Sequence, residues 1–136
     1  MTEDQITYAV RACIYAVYKQ LGPGLLESVY EEALVYELKK KNLHVEQQKK
    51  LPIIYDGVPL KSPLVIDLLV EGKVIIELKS VQELTNVHYK QLMTYLKLSK
   101  LYVGQLVNFN VNDIAEGIHR VFNSKARNLS YGPQRT

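Results

Sequence analysis

Three residues in this sequence have the types and spacing to do chemistry together: Asp67, Glu77 and Lys79. They lie on two short apolar runs, Leu64 to Val70 and Val74 to Lys79, separated around Glu71 and Gly72. In a strand successive side chains alternate between faces. One parity collects Leu64, Ile66, Leu68, Val70, Val74, Ile76 and Leu78, all apolar, which predicts a core-facing surface. The other collects Val65, Asp67, Leu69, Ile75, Glu77 and Lys79, so two carboxylates and an ammonium stand on one side. Amid Val65, Leu69 and Ile75 the carboxylates are expected to be partly buried, where they repel unless a proton or a cation intervenes. A divalent cation is a natural resolution, since hard oxygen ligands suit Mg²⁺ or Mn²⁺. Beside such a cation, Lys79 can orient an attacking water or stabilise charge on a phosphoryl group. A salt bridge among the three with no chemistry explains the same spacing, and the three residues alone leave both readings open.

Register decides whether the two carboxylates meet. A two-residue turn at Glu71-Gly72 would pair Asp67 with Ile76 and send Asp67 and Glu77 to opposite faces. A three-residue loop, Val70-Glu71-Gly72 with a left-handed glycine, pairs Asp67 with Ile75 and Glu77 with Val65. That second register sets the carboxylates on one face, a diagonal step apart, and it is the one the chemistry requires.

The surrounding pattern predicts the elements that hold this strand pair. Thr2 with Gln5 three residues on has the form of a capping box, opening a helix near residue 3. Its apolar face is Ile6, Val10, Cys13, Ile14, Val17 and Leu21, while Tyr8, Arg11, Tyr15 and Lys19 share another. Gly22-Pro23-Gly24 ends it. A second helix is expected from about Leu25 to Lys41, with Leu26, Val29, Ala33 and Leu38 as its apolar stripe. Val45 to Tyr55 reads as a strand before an Asp56-Gly57 turn. Thr85 to Lys100 returns to helical spacing through Tyr89, Leu92, Met93 and Leu96. Leu101 to Asn108 is a further strand, and Gly117 to Phe122 a short final one. Two helices, a strand meander, a helix and closing strands predict an α/β fold, a mixed sheet flanked by helices. The expected organisation is one domain over residues 1–124 and a flexible tail over 125–136.

The whole-chain properties narrow the function classes. At 136 residues, with 47% hydrophobic and 23% charged, the chain has the balance of an ordinary globular domain. A net charge of +3 permits nucleic-acid binding without demanding it. The runs Lys39-Lys40-Lys41 and Lys49-Lys50 read first as solvated faces. Ten tyrosines stand against two phenylalanines and no tryptophan, which favours aromatic packing with a polar tip, at a core rim or a wet groove. Cys13 is the only cysteine, so an intramolecular disulfide and an iron–sulfur cluster are excluded, and its neighbours predict a buried, inert thiol. No apolar run reads as a membrane span or leader, which sets a cytoplasmic, membrane-free location as the expectation.

Asp67 followed by Glu77-Leu78-Lys79 resembles the D…ExK core of the PD-(D/E)XK nucleases. Upstream, Gly24-Leu25-Leu26-Glu27-Ser28-Val29-Tyr30 matches the signature that names the GxxExxY protein family. Downstream, Gln91-Leu92-Met93-Thr94-Tyr95 resembles the QxxxY helix motif of the RecB-like branch. The resemblance runs from about Ile6 to Phe122 and implies a restriction-endonuclease-like sheet. It also implies a metal site of Glu27, Asp67 and Glu77, with catalysis by Asp67, Glu77 and Lys79. Gln91, Tyr95 and Tyr30 correspond to substrate-side residues, although core packing explains Tyr30 and Tyr95 equally well. His88 reads as an ordinary surface histidine. The family often has an arginine two residues before the aspartate, where this chain has Val65.

The leading expectation is therefore a Mg²⁺- or Mn²⁺-dependent nuclease acting on DNA. The alternatives are a nuclease fold that binds nucleic acid or protein without cutting, and a structural subunit in which Asp67, Glu77 and Lys79 form an ion-pair network. A homo-oligomer or a protein partner is compatible with all three.

Overall fold

The computed structural model describes residues 1–126. Helix α1 (Glu3–Leu21) opens on the expected capping box, with Thr2 accepting from the Gln5 N–H and Gln5 accepting from the Thr2 N–H. Helix α2 (Glu27–Lys40) follows the Gly22–Gly24 break. Then come β1 (Val45–Leu51), a small hairpin of β2 (Ile54–Tyr55) and β3 (Val58–Pro59), β4 (Leu64–Val70) and β5 (Val74–Lys79). Helix α3 (Asn86–Ser99) carries the chain to β6 (Val103–Asn108), and a 3₁₀ turn at Ile114–Gly117 leads into β7 (Ile118–Phe122). Five strands form one mixed sheet in the order β1-β4-β5-β6-β7. Only β5 and β6 run parallel, because the α3 crossover joins them. This is the expected restriction-endonuclease-like α/β architecture.

Helices α1 and α2 cover one face of the sheet, where Ile6, Val10, Ile14, Leu34 and Leu38 pack on Leu68, Val70, Val74, Ile76 and Leu78. Helix α3 covers the other through Leu92 and Leu96. Gly104 admits it: a Cβ there would meet Leu92 Cδ1 at 2.8 Å. Cys13 is fully buried, and that burial pushes its thiol above the ordinary range, as an inert core residue requires.

Four local expectations need correction. The buried face of α2 is Tyr30, Leu34, Val35 and Leu38, while Leu26 is 75% exposed and Val29 faces solvent. The long strand expected from Val45 to Tyr55 stops at Leu51, before Pro52, and resumes as the β2–β3 hairpin around Asp56-Gly57. The expected tail starts too early, since Ala126 is buried in the α1–α2 core; residues 127–136 lie outside the described residues.

The fourth correction bears on the site. The single apolar parity does not stay on one face: Leu64 and Ile66 cluster with Leu69, Ile75 and the α3 residues, whereas Leu68 and Val70 join the α1–α2 core. Strand β1 switches at the same level, with Val45 on the α1–α2 side and Leu51 on the α3 side. The alternation breaks between Ile66 and Leu68, at Asp67. The facing residue, Gln48, has a left-handed backbone (φ 47°), and the Gln48–Asp67 step is missing from an otherwise regular ladder.

Candidate active site

The β4–β5 hairpin follows neither of the two registers considered from sequence. Glu71 and Gly72 both adopt positive φ (55° and 65°), and the Lys73 N–H closes the turn on the Val70 carbonyl at 3.0 Å. Lys73 then adds one residue before pairing begins at Val70↔Val74, followed by Leu69↔Ile75 and Leu68↔Ile76. The loop is thus three residues long but displaced by one, and it brings Asp67 level with Glu77 rather than with Ile75. The central requirement holds: the carboxylates meet.

At that level the ladder opens. Strand β4 stays paired with β1 down to Leu64, and β5 stays paired with β6 up to Lys79, but the last β4–β5 pair is Leu68↔Ile76. The carboxylates replace the missing backbone bonds. Glu77 Oε2 accepts from the Asp67 N–H at 2.8 Å, and Asp67 Oδ2 accepts from the Leu78 N–H at 2.8 Å. Each acid therefore satisfies a backbone donor of the opposite strand that the wedge would otherwise leave orphaned. Glu77 is only 5% exposed. Burial, and then the Asp67 charge beside it, push its carboxyl up to about 8. A pair in this state holds a proton or a cation at neutral pH.

Lys79 lies one strand step beyond Glu77, half-buried, and its charge draws the Glu77 carboxyl back down. Among the described residues, no ion pair joins Lys79 to either carboxylate. The closed ion-pair network that would make these residues purely structural is therefore not formed. From the α3 side, Tyr95 is half-buried, and its hydroxyl is held above the ordinary range by burial first and then by the Glu77 and Asp67 charges. Gln91 is exposed one turn earlier on α3. His88 serves the helix start, where its Nδ1 accepts from the Thr85 N–H at 3.0 Å.

Glu27 and Tyr30 depart from the expected roles. Glu27 Oε2 accepts from the Ser80 N–H at 3.0 Å, and Ser80 Oγ donates to the Leu25 carbonyl at 2.6 Å, so the start of α2 is tied to the residue after Lys79. Glu27 stands beside the strand end that carries Lys79, yet Glu27, Asp67 and Glu77 do not converge: among the described residues no three His, Cys, Asp or Glu side chains gather to hold a metal. The physical reason is that Glu27 is held on the Ser80 N–H, while Asp67 and Glu77 are held together across the opening of the β4–β5 ladder. Tyr30 is fully buried, stacked on Phe109 at 4.2 Å between ring centroids, and its hydroxyl donates to the Gly22 carbonyl and accepts from the Leu25 N–H. It braces the glycine-rich break between α1 and α2, and with no accessible surface it leaves the substrate-side set.

Two residues missed in the sequence belong here. Gln48 Nε2 donates to Glu31 Oε1 at 2.8 Å and lies 3.4 Å from Asp67 Oδ1. Glu31 also accepts from Gln47 Nε2 at 3.2 Å. Glu31 on α2 adds its charge, as the smallest of the named contributions, to the upward push on Glu77. A signal for Glu31 did exist, since it follows Glu27 by four residues and so shares its helix face. Nothing in the local sequence marks Gln48, because left-handed backbone is not a habit of glutamine.

The donor set fits a hard divalent cation. It is built from carboxylate oxygens, and Mg²⁺ is commonly held by one or two carboxylates together with water and substrate phosphate. The burial and mutual repulsion of Asp67 and Glu77 also make a cation between them favourable.

The fold has a counterpart in the crystal structure of SSO0001, with a TM-score of 0.54 and 23% sequence identity over 94% of this chain. The chain corresponds to 65% of the length of that protein. No curated protein matches in sequence. The family model of the PD-(D/E)XK nuclease superfamily matches residues 4–121, spanning α1 to β7 and including the acidic pair and Lys79. With that match and the sheet that brings Asp67 and Glu77 together, the chain belongs to the PD-(D/E)XK nuclease superfamily.

Proposed function

We propose that this protein is a Mg²⁺- or Mn²⁺-dependent deoxyribonuclease that hydrolyses phosphodiester bonds. In this reading residues 1–124, with the turn that packs Ala126 into the core, form one nuclease-like domain of the GxxExxY type, in the RecB-like branch. The observation that carries it is the pair of buried Glu77 and half-buried Asp67 at the opening of the β4–β5 ladder, with Lys79 in no ion pair among the described residues. Asp67 and Glu77 would hold the cation, and Glu27 would serve it from the start of α2 once released from Ser80. A divalent cation at such a pair supplies Lewis-acid polarisation of a phosphate oxygen and makes water more acidic.

The remaining roles fall to the chain itself. Lys79 would present an ammonium where phosphate oxygens gain charge in the transition state, and among the described residues no ion pair engages it. Tyr95 and Gln91 line the α3 side, where a hydroxyl and an amide can position the strand being cut. Lys50 faces Val65 across the β1–β4 ladder, bringing a cation to the level where related proteins often carry arginine. A cytoplasmic setting accompanies this reading, and the single free, buried thiol is compatible with it. Among the described residues no helix is long and apolar enough to cross a membrane.

Single-turnover cleavage of labelled DNA at saturating Mg²⁺ or Mn²⁺ tests the proposal. Lys79→Ala is expected to fold and bind metal normally while cleaving roughly a hundredfold slower, the scale of one transition-state contact. Equal rates would remove Lys79 from the mechanism. No wild-type cleavage on any DNA form with either metal would leave a binding module that keeps the fold.

A further inference from the structure

We propose that Gln48, braced by Glu31, is the positioning residue of the acidic pair: its side-chain amide sets the orientation of the Asp67 carboxylate. The inference rests on the site reading above and adds to it residues that no sequence motif marks.

Three independent features meet at Gln48. Its backbone is left-handed, with φ of 47°, although it carries a full side chain in the middle of a strand. Strained backbone of this kind persists where the surrounding structure enforces it, and it concentrates at functional sites. Its ladder step with Asp67 is the one omitted between Gln47↔Leu68 and Lys49↔Ile66. Its Nε2 stands between two acids, 2.8 Å from Glu31 Oε1 and 3.4 Å from Asp67 Oδ1.

The chemistry of that arrangement is specific. An amide NH₂ has two hydrogens and no charge, so one group can donate to two carboxylates that would otherwise repel each other. Glu31 is steadied from the other side by Gln47. Asp67 Oδ2 is taken by the Leu78 N–H, so the contact of Oδ1 with Gln48 sets the remaining freedom of the carboxylate plane. An ordinary extended residue at position 48 would keep the strand alternation and send its side chain elsewhere. The left-handed turn of the backbone redirects the side chain and, at the same level, switches the faces of both β1 and β4.

Substitutions can separate the amide from the backbone. Gln48→Gly keeps the left-handed conformation without strain and removes the amide. Gln48→Asn tolerates the same backbone but is one methylene too short to bridge both acids. Gln48→Glu replaces the bridge with a third negative charge.

The experiment combines amide hydrogen exchange on the metal-free protein, thermal unfolding, Mn²⁺ binding and single-turnover DNA cleavage. For Gln48→Gly the melting temperature should hold or rise. Exchange at the Leu78 amide should quicken severalfold, while amides of the closed hairpin end, such as Val74, stay unchanged. Mn²⁺ affinity should fall severalfold and the cleavage rate at least tenfold, with KM for DNA little altered. Gln48→Asn should resemble glycine, and Gln48→Glu should be worse in each readout except stability. Unchanged Leu78 exchange in Gln48→Gly would overturn the positioning role whether or not the protein cleaves DNA. A lowered melting temperature with uniformly faster exchange would also overturn it, leaving Gln48 a structural residue. If wild type neither binds Mn²⁺ nor cleaves while Leu78 exchange still responds to Gln48→Gly, the nuclease reading fails and the positioning of Asp67 stands.

Discussion

The two ends of the β4–β5 hairpin are made of the same two strands and behave oppositely. At the turn end, Val70↔Val74, Leu69↔Ile75 and Leu68↔Ile76 pair directly, with buried apolar side chains on both faces. One step further the strands separate, and the carboxylates of Asp67 and Glu77 take over the duties of the backbone carbonyls. The closed end gains its stability from removing apolar area from water. The open end places a buried acid, pushed up to about 8, beside a second carboxylate. The same sheet is thus anchored at one end and opened around an acidic pair at the other. The wedge leaves neither the Asp67 nor the Leu78 N–H orphaned, because both find acceptors that also serve as cation ligands in the proposed mechanism.

The comparison predicts mutations of opposite sign at the two ends. The largest effect is expected from Glu77→Gln, which keeps an acceptor for the Asp67 N–H but removes the buried charge. Cleavage should fall about a thousandfold, equivalent to about 4 kcal/mol, while the metal-free protein melts at the same or a higher temperature at pH 8. Loss of melting temperature together with activity would erase the distinction between the ends.

The second effect is a pH dependence in metal-free protein. The Glu77 carboxyl is raised in the folded state from 4.5 to about 8 by burial and by Asp67. Folded protein therefore binds this proton more tightly than unfolded protein does. The stability associated with it is fully present below pH 4.5 and is lost as pH rises toward and through 8. The decline from this group between pH 5 and 7 should be on the order of 2 kcal/mol. Urea unfolding with chelator present measures it, Glu77→Gln should flatten it, and Mg²⁺ should oppose it most strongly at the upper end. An identical pH profile for wild type and Glu77→Gln would show that the carboxyl does not hold the proton.

The smallest effect belongs to the closed end. Val70→Ala deletes two methyl groups from a fully buried position and should cost about 1.5–2 kcal/mol of stability in urea titrations. Its cleavage rate, measured where the variant is fully folded, should remain within twofold of wild type. A larger catalytic loss would mean that the two ends are mechanically coupled.

Much of this architecture was legible locally. The capping box of α1, the bounds of β4 and β5 and the burial of Cys13 all follow from period-2 and period-3.6 patterns and from cap chemistry. The buried stripe of α2 was not, because Leu26 and Val29 are apolar enough to claim a core face, while Tyr30 is the residue that Phe109 and the Gly22 carbonyl actually hold inside. The register was only half legible. Sequence indicated a turn at Glu71-Gly72, but the extra residue, Lys73, depends on how β4 and β5 are gripped by β1 and β6.

What sequence by itself determined is the inventory: two acids and a lysine on neighbouring strands, with glycine at the turn and helices to cover both faces. Those features are local, set by side-chain type and by backbone geometry that repeats over a few residues. Only the tertiary structure decided that Glu31 is held by Gln47 and Gln48 beside the acidic pair, that Tyr30 is a brace, and that Gln48 reaches Asp67. Each of those outcomes depends on a contact between residues distant in sequence, or on a left-handed backbone that glutamine does not adopt by preference. Strain of that kind has no local signature, because the strands and helix packed around it, not the residue itself, hold it in place.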